Sequence, residues 1–199
     1  MQAWARTLIL IFIFMLFPAG ALPEIYSWVD DQGNQNYTTR LDSIPEPFRS
    51  KAEALSLPPS PPAPPELQSS EPQNVTIKVP LAQGSAVRVS ARINGAGPIT
   101  LILDTGSDRT LVSPSAFERL GILFESASRV VLKGVTGVGY GDGVWVQSVE
   151  VGEARVGPLL IIVPDTDLKE ADGLLGRDFL AHFNVTINSK QGNVTLAPN

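Results

Sequence analysis

Leu101-Ile102-Leu103-Asp104-Thr105-Gly106-Ser107 is an apolar run that ends in an acidic residue and passes at once into a short polar turn. The apolar run and the Thr-Gly after it predict a strand that delivers Asp104 to the lip of a tight turn, where backbone N–H groups can hold a carboxylate for proton chemistry. An Asp-Thr-Gly tripeptide also suits an ordinary surface turn, so the segment needs a partner before it says anything about function.

That partner lies downstream. Gly173-Leu174-Leu175-Gly176-Arg177-Asp178-Phe179-Leu180 carries two apolar residues into a Gly-Arg-Asp. Together the two segments resemble the retropepsin-like (retroviral-type) aspartic proteases, in which an apolar-apolar-Asp-Thr-Gly turn is followed by an apolar-apolar-Gly-Arg-Asp/Asn segment opening a short helix. The resemblance extends over about residues 75–199. It implies an all-β, retropepsin-like acid-protease barrel with one or two short helices, acting on peptide or protein substrates.

Hydrolysis of a peptide bond by carboxylates takes two of them, one to accept a proton from water and one to protonate the substrate carbonyl. Placed a few ångströms apart they cannot both ionise and so titrate as a unit. The chain has no second Asp-Thr-Gly: Asp165-Thr166-Asp167 lacks the glycine and Ala171-Asp172-Gly173 lacks the hydroxyl residue. The second carboxylate is therefore expected from a second copy, since a two-fold contact brings a patch against itself; the resemblance implies the same homodimer. By the resemblance Asp104 is the catalytic acid/base, Thr105 fixes the turn through a hydroxyl bond across the dimer axis, and Gly106 lets the backbone donate N–H to the carboxylate. Asp108 and Arg177 fall where the family has a buried acid–arginine pair, and a bidentate contact behind the site is expected. Two exposed charges are the plainer alternative.

Gly134-Val135-Thr136-Gly137-Val138-Gly139-Tyr140-Gly141-Asp142-Gly143 lies between apolar runs at residues 130–133 and 144–151. Glycine at alternate positions makes a pliant hairpin tip that brings backbone close to a ligand. By the resemblance this is the flap that closes over bound peptide, with Gly137, Val138, Gly139, Tyr140 and Gly141 as its substrate-binding residues. A merely flexible loop is the other reading. Phosphate cradling is not, since neither G-x-G-x-x-G nor a Walker lysine is present. Val138, Tyr140 and Ile162 are candidate apolar walls for an extended substrate. A non-catalytic peptide-binding module of the cell envelope, using the same cleft and flap, is the second reading of function.

The rest of the chain sets the context. Arg6, the apolar run at residues 8–17 and Pro18-Ala19-Gly20-Ala21 form an export signal expected to be cleaved after Ala21, which leaves no stable membrane span. Residues 22–56 read as a small accessory module built on a hairpin, with β-prone runs at 25–29 and 35–39 around Asp30-Asp31-Gln32-Gly33-Asn34. They resemble a short uncharacterised module that often follows bacterial signal peptides, a resemblance that implies the periplasm or cell envelope. Residues 57–73, rich in proline, read as an extended spacer, and residues 74–199 as the protease domain. A net charge of -5 with pI near 4.9 excludes a nucleic-acid partner, whose phosphates need a basic face. No cysteine and a single histidine, His182, leave little for a metal site, and two-carboxylate chemistry asks for no cofactor.

Overall fold

The structure, a computed structural model, describes residues 24–56, 75–82, 84–124, 126–134 and 137–199. The expected export signal and proline-rich spacer lie outside those residues. What is described is mostly strand, with three short α-helices, and forms two sheets.

The larger sheet holds nine strands. β5 (Arg88–Ile93) alternates exposed and buried residues along its length, the period-2 pattern of a half-buried strand. It turns at Asn94-Gly95 into β6 (Ala96–Leu103), which runs antiparallel to it and ends at Asp104. β7 (Leu111–Val112) leads into helix α2 (Pro114–Leu120), which starts on a proline and ends at Gly121 in the left-handed region, φ 66°. Ser113 does not cap this helix; its Oγ accepts a hydrogen bond from Leu168 N–H at 3.0 Å, and Asp167 Oδ1 accepts from Ser115 N–H at 3.1 Å.

β8 (Ser128–Gly134) and β9 (Gly137–Val146) pair antiparallel from Gly134–Gly137 down to Ser128–Gly143. Among the described residues of the glycine-rich stretch, Gly134 and residues 137–143 are therefore strand. The apolar run over residues 144–151 is divided between two strands: β9 stops at Val146 and β10 (Val149–Val151) restarts beyond Gln147-Ser148, where it pairs with β5 and with β11 (Ala154–Val156). β12 (Leu159–Pro164) is buried at every position, so it reads as a continuous apolar run, as a strand covered on both faces must. β13 (Gly173–Leu175) lies between β6, to which it is parallel, and β7, to which it is antiparallel. Helix α3 (Arg177–Leu180) follows it immediately.

The smaller sheet has six strands in the order β3-β1-β2-β14-β15-β4. β4 (Ile77–Pro80), β14 (Phe183–Asn188) and β15 (Asn193–Pro198) come from the protease-like region. β1 (Glu24–Val29) and β2 (Gln35–Thr38) are the expected hairpin, joined by α1 (Glu46–Arg49) and by β3 (Glu53–Ser56), which pairs with β1. The hairpin does not stand apart: β2 pairs antiparallel with β14. A two-stranded ribbon is marginal in water, and docking onto a larger sheet supplies what it lacks. One core spans both sheets, with Leu101, Val112, Phe117, Ile161, Leu175 and Phe179 on one side and Val185, Val194 and Leu196 on the other.

Candidate active site

Asp104 is carried out of the sheet by β6 and anchored by β13. Its N–H donates to Leu175 O at 3.0 Å, and its half-buried carboxylate accepts from Gly106 N–H at 2.9 Å through Oδ1. A Cβ at position 106 would stand 3.2 Å from that same oxygen, so glycine keeps the approach to the carboxylate open. The turn closes with Ser107 N–H on Asp104 O (3.3 Å) and Ser107 Oγ on Arg109 O (2.7 Å).

The Gly-Arg-Asp segment braces this turn from behind. Arg177 N–H donates to Ser107 O at 2.8 Å, tying the start of α3 directly to the turn. Asp178 is wholly enclosed: its Oδ1 accepts from Thr110 N–H (2.9 Å), Thr110 Oγ1 (2.8 Å) and Phe179 N–H (2.9 Å), while Oδ2 shares the Thr110 N–H (3.0 Å). Burial pushes its carboxyl above the ordinary aspartate value, against the pull of the donors from Thr110 and Phe179. Thr110 Oγ1 in turn accepts from Gly176 N–H at 3.1 Å, which completes a lock between the residues after the turn and the segment beneath it.

Residues 89–179 match the family model described as aspartyl protease, and residues 12–71 match a domain of unknown function, DUF4124. A retropepsin-like aspartic protease from Rickettsia conorii shares the fold at TM-score 0.50 and 17% identity, over 65% of this chain and 94% of that one. The EIAV protease complexed with the inhibitor HBY-793 aligns at TM-score 0.42 and 21% identity, over 51% of this chain and 91% of that one. No curated protein matches the chain. The fold is retropepsin-like. On that fold, residues 89–179 are similar to the aspartyl proteases and the residues before them to the DUF4124 domain.

Asp104, Thr105 and Gly106 form one turn. Asp108 and Arg177 do meet, but through a single pair of atoms, Arg177 Nη2 and Asp108 Oδ1, and not in the expected bidentate fashion. The pair is lopsided: the Arg177 side chain is 11% exposed and the Asp108 side chain 46%. Arg177 Nε is buried without a hydrogen-bond partner, and burial pulls the guanidinium below the ordinary arginine value, though it remains a cation. Asp108→Ala is accordingly expected to destabilise the fold more than Arg177→Met. The first strands a buried cation and should cost roughly 1–2 kcal/mol after allowance for the solvent already at Asp108. The second leaves a carboxylate that water can reach and should cost less than about 1 kcal/mol. Urea denaturation of both variants measures the difference, and the reverse order would contradict the placement of these charges.

The flap residues lie on β9. Val138 and Tyr140 are 64% and 52% exposed and share a face with Val131, the register partner of Tyr140. Arg129 sits 5.9 Å from the Tyr140 ring and is held by Asp165 at 2.7 Å. Gly137, Gly139 and Gly141 occupy the opposite face. Pliancy is not the whole reason for them: a Cβ at Gly141 would meet Val163 O at 2.7 Å, so there glycine admits the close approach of β12. Ile162, a candidate wall, is buried at 3% exposure and presents no surface to a substrate here. His182, a bystander in sequence, is mostly enclosed, and burial lowers its pKa.

Sequence reasoning missed one residue outright. Tyr37, on β2, packs its ring against the main core and shares a 3.2 Å hydrogen bond between its hydroxyl and Thr105 Oγ1. Sixty-eight positions separate the two, and no local pattern marks the tyrosine. The two incomplete copies of the Asp-Thr-Gly motif are used structurally. Asp172 Oδ2 accepts from Thr100 N–H at 2.8 Å and Oδ1 pairs with Arg119, while Asp165 and Asp167 hold Arg129 and Ser115.

Proposed function

We propose that the protein is an aspartic endopeptidase that hydrolyses peptide bonds with a water activated between the Asp104 carboxylates of two copies. The observation that carries this reading is Asp104 itself, poised at the end of β6 with Gly106 N–H on one oxygen and the other oxygen left for chemistry. A single carboxylate cannot both take and give a proton in one step, and the chain's remaining Asp-rich motifs are committed to Arg119, Arg129 and backbone N–H groups. Symmetry is the economical source of the second acid, because a two-fold contact at the turn sets Asp104 against Asp104. The pair then shares one proton.

Substrate binds in this reading as an extended strand under the β8–β9 hairpin, with main-chain hydrogen bonds giving affinity and the exposed Val138 and Tyr140 favouring apolar side chains near the cleaved bond. The N-terminal sequence supports export to the periplasm or envelope. Among the described residues no helix is long and apolar enough to cross a membrane. The test is a single preparation: the exported chain, N-terminally sequenced and then assayed from acid to neutral pH on a mixed peptide library, with and without an active-site aspartyl inhibitor. A mature chain beginning at Leu22 and inhibitor-sensitive cleavage are expected; binding of peptides without cleavage at any pH would replace the enzyme with a recognition module.

A further inference from the structure

Two observations converge on the turn that carries Asp104. The hydroxyl of Thr105, the residue next to that carboxylate, is engaged by Tyr37 at 3.2 Å. And β14, which follows directly on the helix that braces the turn, is paired within the chain on both sides, with β15 along one edge and β2 along the other. Neither edge of it is open to another chain.

The docking of the hairpin is specific. Tyr37 stands opposite Val185 in register, and Asn36 opposite Thr186, whose Oγ1 donates to Asn36 Oδ1 at 2.8 Å. Lys190 Nζ reaches Gln32 O at 2.8 Å, and Asn199 Nδ2 reaches Thr39 Oγ1 at 2.8 Å. Polar side chains from β14, the turn beyond it and the chain's last residue all close on the hairpin.

Sharing a proton between two Asp104 carboxylates requires the two 104–106 turns to abut, so Thr105 must lie within the contact between copies. A threonine hydroxyl has one hydrogen to donate, and a phenol already standing at it occupies the space on that side. We infer that the β1–β2 hairpin is a cap on the self-association face, with Tyr37 as its contact on the active-site turn: while β2 is paired with β14 the chain is held apart from a second copy, and the catalytic dimer forms when β2 leaves. The inference rests on the reading of Asp104 as half of a two-copy acid pair.

The chain has no cysteine, which makes a redox lock clean. Asn36→Cys combined with Thr186→Cys puts two thiols at register-paired positions on neighbouring antiparallel strands, within the Cα separation a disulfide spans. Oxidised, the hairpin cannot leave; reduced, it can. Sedimentation and peptide hydrolysis are measured on the same full-length chain in both states. Expected are a monomer when oxidised, self-association when reduced, and at least a roughly 10-fold rise in hydrolysis on reduction. Tyr37→Phe, with no lock, is expected to tighten self-association about 2- to 10-fold by removing one hydrogen bond from the closed form. Equal association in both redox states overturns the cap. So does a chain that stays monomeric in both, since the hairpin would then not be what separates the copies, and so does a locked monomer that cleaves peptide at the reduced rate. Association on reduction without any hydrolysis upholds the cap and sinks the protease reading, so the two failures are told apart.

Discussion

Asp104→Asn is expected to lower kcat/KM for peptide hydrolysis by at least about 10³- to 10⁴-fold while leaving the melting temperature and the far-UV circular dichroism unchanged. The substitution keeps the shape of the side chain. An amide oxygen still accepts the Gly106 N–H that the Oδ1 carboxylate accepts at 2.9 Å, and the backbone bond to Leu175 O is untouched. What is lost is the capacity to take a proton from water, which no neighbouring group restores. A sharper result follows from mixing. If active sites form between copies, an equal mixture of wild-type and Asn chains, allowed to exchange, retains about one quarter of the activity of the same total amount of wild type, because only dimers with two acids work. If each chain works alone, about one half remains. Titrating the mixing ratio therefore reads the number of chains per site directly from the curvature, and a straight line through the origin would refute the two-copy site even if Asp104 proved essential.

Which parts of this site the sequence could announce depends on how local the cause is. Helix α2 runs from Pro114 to Leu120 because its start and stop are written in adjacent residues, a proline with preset φ and a glycine that accepts the left-handed region. Alternation marks β5, and apolar runs mark β6 and β12. β7, with two residues, and β13, with three, carry too little pattern to be seen; they are strands only because β6, β7 and β12 lie beside them. β3 is four residues, Glu53–Ser56, with no β signature, and is made a strand by β1. The placement of the N-terminal module followed the same rule. Its hairpin was visible in the turn residues, but its pairing with β14 depends on contacts across some 150 positions, such as that of Asn36 with Thr186, which no window along the chain contains. Asp178 was legible as part of a motif and not as a brace, since the donors it satisfies belong largely to Thr110, 68 residues away.

The same brace sets a large expected effect on stability. A Cβ added at Gly176 would lie 2.3 Å from Arg109 C, 2.4 Å from Arg109 O and 2.7 Å from Thr110 N, all backbone atoms that cannot rotate away. Relief would have to come from moving α3 off the strand that follows the active-site turn. That motion breaks the Gly176 N–H bond to Thr110 Oγ1 and strains the bonds from Thr110 to the buried Asp178 carboxylate. Gly176→Ala is therefore expected to destabilise the fold by roughly 3 kcal/mol or more, through overpacking and the exposure of buried polar groups to poor partners. Gly139→Ala supplies the contrast on the flap. There the added Cβ would meet nothing closer than Leu132 Cβ at 3.9 Å, an ordinary contact, so less than about 0.5 kcal/mol is expected. If flap pliancy matters to turnover, Gly139→Ala shifts kcat and KM at unchanged stability, whereas Gly176→Ala loses activity in step with the folded population. Denaturation curves and kinetics on the two variants separate these, and a Gly176→Ala protein as stable as wild type would mean that the Gly-Arg-Asp segment does not press on the backbone behind Asp104.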